Sequence, residues 1–108
     1  MESFQAIYFS PTGGTRKIVS AISNAIGLKK RPEIDLTLPG SRREFRGEVA
    51  ADLVIVGSPV YAGTIPYPFL ESLRKLDGKG KWAVPVAVYG NRSPDSIIEE
   101  MARVLRER

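Results

Sequence analysis

A chain of 108 residues with 43% apolar and 26% charged side chains has the size of one domain, residues 1–108, built around one core. It contains no cysteine and no histidine, which removes disulfides, thiolate nucleophiles, cysteine-held clusters, the serine–histidine relay and the commonest metal ligand. A borrowed cofactor is left as the economical source of chemistry. The net charge of +4 is spread along the chain and lacks the interleaved aromatics of a single-strand groove, so a solvated surface is expected and not a nucleic-acid interface.

Ala6-Ile7-Tyr8-Phe9 is a short run of β-formers closed by Ser10-Pro11-Thr12-Gly13-Gly14, which predicts a buried strand entering a tight loop. Ile18, Val19, Ile22 and Ile26 then recur at helical spacing, and Gly27 stands where a left-handed C-terminal cap is expected. Residues 34–38 alternate apolar and polar, as an edge strand would, and Pro39-Gly40 ends it. The arginine-rich stretch from Ser41 to Glu48 has little to bury and supports one or two turns of helix. Leu53-Val54-Ile55-Val56 is continuously apolar, the mark of a central strand covered on both faces.

Phe69, Leu70, Leu73 and Leu76 outline the next helix, with Pro66 or Pro68 in its first turn. Trp82 to Tyr89 is a fourth strand in which Pro85 favours an edge position. Ser93, Pro94 and Asp95 suit the start of a last helix with an apolar stripe of Ile97, Met101, Val104 and Leu105. Strands alternating with helices predict an α/β fold, a doubly wound parallel sheet with helices on both faces. No apolar run nears the roughly 20 residues that span a bilayer, and no leader is evident, so a cytoplasmic protein is expected.

In such a sheet the loops leaving the carboxyl ends of the strands gather where the strand order reverses. Three loops qualify: Ser10 to Thr15, Ser58 to Gly63, and Tyr89 to Arg92. The first carries three hydroxyls and two glycines at the start of a helix, where unpaired amides and the dipole favour an anion. It is neither a Walker loop nor a dinucleotide fingerprint. The alternative is a capped turn in which Thr12 or Thr15 satisfies helix donors.

Phe9-Ser10-Pro11-Thr12-Gly13-Gly14-Thr15 resembles the phosphate loop of flavodoxins, and Gly57-Ser58-Pro59-Val60-Tyr61-Ala62-Gly63 and Tyr89-Gly90-Asn91-Arg92 resemble the later loops of flavodoxin domains in proteins that also carry a ferredoxin module. The resemblance implies a flavodoxin-like sheet of four strands in the order 2-1-3-4 and flavin mononucleotide (FMN) as cofactor. It implies that Ser10, Thr12, Gly13, Gly14 and Thr15 hold the phosphate, with Arg16 and Lys17 adding positive potential. Ser58, Pro59, Val60, Tyr61, Ala62 and Gly63 would line the ring, with Tyr61 stacked on one face or, alternatively, covering the core beside Pro59, and the Ala62-Gly63 peptide turning toward the ring on reduction. Tyr89, Gly90, Asn91 and Arg92 would contact its pyrimidine side, the alternatives being that Tyr89 is a strand-end core residue and Arg92 a solvated one. The activity implied is electron carriage between redox partners, with no catalytic side chain and no metal. A flavin-dependent NAD(P)H or quinone reductase and a flavin-free binding module are the alternatives.

The chain departs from that family in two ways. The family's fifth strand and helix have no counterpart in these residues, so part of the Leu53 to Val56 strand is expected to be exposed and covered by a second copy or another subunit, the alternative being that the chain is a truncated fragment. The positive charge contrasts with acidic flavodoxins and makes an acidic ferredoxin or reductase the reasonable partner. A receiver domain needs acidic residues where this chain has Ser10 and Gly57-Ser58, and a fold-related phosphatase needs a cysteine.

Overall fold

The computed structural model describes residues 2–60, 64–77 and 80–88. Along the chain run β1 (Ser3–Tyr8), α1 (Gly14–Ala25), β2 (Lys29–Lys30), β3 (Ile34–Asp35), α2 (Pro39–Glu44), β4 (Leu53–Pro59), α3 (Tyr67–Leu73) and β5 (Trp82–Val88). Every strand pair is parallel, in the order β2-β1-β4-β5, and β3 also pairs with β1. The α/β class and the parallel sheet are therefore as expected.

The expected count of four strands is corrected to five segments, because the edge strand is broken in two. Phe4 pairs with Lys30 and Ile7 with Ile34, so the edge holds one residue more than β1 does over the same span, which is a bulge. Pro32 sits in it without an N–H to offer the ladder. Gln5 fastens the bulge: its Nε2 donates to the Pro32 carbonyl at 2.8 Å, while its Oε1 accepts the Ala50 N–H at 3.0 Å. Of the expected edge strand 34–38 only Ile34–Asp35 is strand. Leu36 still donates its N–H to the Tyr8 carbonyl at 2.9 Å and is fully buried.

Because side chains alternate across a strand, β1 feeds two cores. Phe4, Ala6 and Tyr8 join Ile55 and Val19 beneath α1, whereas Ile7 and Phe9 join Val54, Val56, Leu36, Phe45, Phe69 and Leu73 beneath α3. The rings of Phe9 and Phe69 stack with centroids 5.8 Å apart. Helices thus cover both faces, α1 on one and α3 on the other. The helix expected near Ser41 is a short α2, and it begins at Pro39, whose fixed φ suits a first helical position. The first-turn prolines of α3 are Pro66 at its cap and Pro68 within it.

Three further expectations change. Helix α1 ends at Ile26 in an extended conformation, with no left-handed cap: Gly27 is not among the glycines with positive φ, and Gly13, before the helix, is. Ile18 is exposed, because the inward stripe of α1 runs through Thr15, Val19 and Ser23. Finally, Val54, Ile55 and Val56 are all buried, since β4 is flanked by β1 and β5 and roofed by helices on both faces. The exposed apolar surface lies one strand further out, at Trp82 (65% exposed) and Val84 (43%) of β5. Pro85 is on β5, the outermost strand on that side among the described residues. The expected last helix falls outside the described residues. Among those described, no helix is long and apolar enough to cross a membrane.

Candidate functional site at the carboxyl edge of the sheet

From β1 the chain crosses through α1 to β2 and β3 on one side, and its next crossover lands β4 on the other side of β1. The order therefore reverses between β1 and β4, and the loops that leave their carboxyl ends flank the crevice where ligands of such sheets bind.

The loop after β1 is held by its own polar groups. Ser10 donates its N–H to Thr37 Oγ1 at 2.9 Å, and Thr37 is fixed by the Asp35 carboxylate, which accepts both its N–H at 3.0 Å and its hydroxyl. The N-cap residue Gly13 has no side chain to cap α1, but Ser10 Oγ accepts the Arg16 N–H at 3.0 Å and so satisfies one donor of the first turn. Gly13 turns the chain with φ at 87° and accepts the Lys17 N–H through its carbonyl at 3.2 Å. These bonds leave the amides of Thr12, Gly14 and Thr15 with no protein partner among the described residues. An added Cβ at Gly13 or Gly14 would meet nothing within 4 Å, so the space above them is open. The first turn of α1 carries no acidic residue, and Arg16 and Lys17 are exposed beside it. Orphan donors, the positive end of a twelve-residue helix and a first turn free of acidic residues together suit a small dianion.

Of the residues expected to hold such a group, Thr12 and Gly14 are exposed, Ser10 and Gly13 are half-buried, and Thr15 is buried. Thr15 directs its methyl toward β4, where a Cβ on Gly57 would lie 3.1 Å from it. Thr37 and Asp35, which brace the loop from the neighbouring strand, were not singled out by the sequence. Their signal is an Asp-x-Thr at the end of a strand, a local side-chain-to-backbone turn.

The second loop begins later than expected. Strand β4 runs on through Pro59, since Ser58 pairs with Ala87 and Pro59 with Val88. Ser58 is fully buried and donates its hydroxyl to the Pro59 carbonyl at 2.8 Å. Val60 packs into the core beneath α3 and donates its N–H to the Val88 carbonyl at 3.0 Å. The chain therefore leaves β4 and β5 at adjacent points of the same sheet edge. Tyr61, Ala62 and Gly63, and likewise Tyr89, Gly90, Asn91 and Arg92, lie outside the described residues.

Below the loop, Tyr8 Oη donates to Glu33 Oε2 at 2.9 Å, and Lys30 Nζ pairs with Glu33 Oε1 at 3.1 Å. Burial, helped by the hydrogen bond to Glu33, pushes the Tyr8 phenol up to about 12. Burial alone would raise Glu33, but the hydrogen bonds from Lys30 and Tyr8 hold it below the usual carboxylate range. This network ties the broken edge strand to β1. Among the described residues no cluster of acidic side chains is suited to a metal ion. No protein-family model matches the chain, and no curated protein matches it either.

Proposed function

We propose that the chain is a flavodoxin-like domain that binds FMN and passes electrons between redox partners. The observation that carries this reading is the trio of unpartnered amides at Thr12, Gly14 and Thr15, gathered at the head of α1 beside the reversal of strand order. The donor set fits a phosphate dianion: main-chain N–H groups, open space over two glycines, and nearby Arg16 and Lys17. Bound there, FMN would supply the electron transfer itself. The chain's own part is to grip the phosphate through the loop Ser10 to Thr15, with Ser10 locked between Thr37 and Arg16 so that the amides are aimed before the ligand arrives. The segments leaving β4 and β5 would flank the ring, with Tyr61 stacked on it.

An acidic ferredoxin or reductase is the partner that the net charge of +4 favours. The exposed Trp82 and Val84 support cover of β5 by a second copy or another subunit.

The test is titration of the purified protein with FMN, following quenching of flavin fluorescence and the melting temperature. Saturable quenching and a rise in melting temperature are expected. Gly14→Asp adds a carboxylate where nothing obstructs a side chain, so it should fold normally and weaken FMN about tenfold or more through repulsion at the helix head. Unchanged fluorescence and melting in the wild-type protein would overturn the proposal.

A further inference from the structure

On the face of the sheet opposite α1, an open groove of about 280 Å³ runs between α2 and α3. Pro39 and Pro68 contribute apolar walls, and Arg42, Arg43 and Lys75 set three cations against the single carboxylate of Glu71. The two walls are tied together: Lys75 Nζ donates to the carbonyls of Arg42 at 3.0 Å and Phe45 at 3.5 Å. Arg42 is braced, since its Nη1 donates to the carbonyls of Leu36 at 2.9 Å and Thr37 at 2.8 Å while its guanidinium lies over the Phe9 ring, 5.4 Å from the centroid. Its Nε and Nη2 have no protein partner among the described residues. Arg43 is exposed, and no carboxylate pairs with it among the described residues.

A braced guanidinium has already lost its side-chain freedom, so it binds a carboxylate at lower entropic cost than a mobile one. Beside the groove, Leu38 next to Pro39 is 67% exposed and Tyr67 next to Pro68 is 66% exposed. Both are large apolar side chains, of the kind that anchor a protein partner. Glu71 also lines the groove, so an anionic partner must keep its charges on the cations and away from Glu71, which the separate carboxylates of a peptide can do and the evenly repeated phosphates of a nucleic acid cannot.

We infer that the groove between α2 and α3 docks an acidic segment of a partner protein, its carboxylates on Arg42, Arg43 and Lys75 and its apolar side chains on Pro39, Pro68, Leu38 and Tyr67. The inference stands on the groove alone and does not depend on a bound flavin.

The probe is a fluorescein-labelled peptide, Asp-Glu-Leu-Asp-Glu-Leu-Asp-Glu, titrated with the full chain without FMN at low ionic strength and followed by anisotropy. Saturable binding is expected, together with a loss of affinity in about 0.5 M salt, where the Debye length is short. Arg43→Glu should weaken binding about tenfold or more with an unchanged melting temperature, and Arg43→Lys should retain most of it. Lys29→Glu makes the same change of net charge on β2 and should alter affinity less than about twofold, as expected for a charge outside the contact. Three results would overturn the inference: no saturation, equal weakening by Arg43→Glu and Lys29→Glu, or a single-stranded oligonucleotide competing as well as the peptide.

Discussion

Replacing Gly57 with alanine should loosen the seat of α1 on the sheet. Gly57 lies in β4 opposite Tyr8 of β1 and Val86 of β5. A Cβ built there would collide with Val19 Cγ2, and it would come within 3.1 Å of Thr15 Cγ2 and 3.6 Å of Tyr8 Cβ. Val19 is fully buried and Thr15 belongs to the first turn of α1, so neither can swing into solvent and the helix must lift. Overpacking of this kind costs about 1–3 kcal/mol, offset by about 0.4–1 kcal/mol because alanine restricts the unfolded chain. A net loss of about 1–2 kcal/mol remains. With an unfolding entropy of about 2.1 cal/mol/K per residue, a chain of this length has about 0.23 kcal/mol/K in total, so the melting temperature should fall by about 4–9 °C. Urea unfolding followed by circular dichroism should show a lower midpoint at an unchanged slope. Trimming the clashing partner supplies the decisive comparison: Gly57→Ala with Val19→Ala should be less destabilised than the sum of the single variants by about 1 kcal/mol. Additive losses, or a melting temperature unmoved by Gly57→Ala, would refute the packing argument.

Gly47 is a harsher case, because its φ is 87° and a Cβ would run into the carbonyl of Lys75, in the turn just after α3. Gly47→Ala should cost about 2–4 kcal/mol in urea unfolding, whereas Gly27→Ala, with open space and no positive φ, should be neutral or stabilising by about 0.4–1 kcal/mol. Tyr8 predicts the alkaline limit of stability. Its phenol is raised from 10.0 to about 12 in the folded chain, so its contribution is complete below pH 10 and is lost as pH climbs from there to about 12. The shift corresponds to about 2–3 kcal/mol. Unfolding free energy measured across that range should decline in the native protein and decline less in Tyr8→Phe.

Much of the scaffold was legible because burial dictates pattern. The unbroken apolar run at Val54, Ile55 and Val56 is explained by helices on both faces, and the spacing of Phe69 and Leu73 by the core they enter. Pro85 was a fair sign of an outer strand. What misled was local chemistry settled by distant neighbours. Gly27 looks like a helix stop, but α1 stops through an extended Ile26, and the left-handed glycine stands at its other end. Residues 34–38 alternate like one strand, but the strand ends at Asp35, whose carboxylate accepts the Thr37 N–H in a local turn, and the extra residue around Pro32 separates it from Lys29–Lys30. At the candidate site, the glycines and hydroxyls of the first loop are visible in the sequence, whereas Asp35 and Thr37, which brace that loop, come from β3 and the turn after it, which only the folded chain brings alongside. Ser58 reads as a loop residue because of the Pro that follows it, yet pairing with Ala87 keeps it in the sheet.

The broken strand beside β1 also governs how the molecule meets its own kind. Two-residue segments, the extra residue around Pro32 and the exposed side chains of Lys29 and Lys30 make a poor template for an incoming chain. That rim resists amyloid-like stacking, and crowding in a cell will not readily convert it into a seam between molecules.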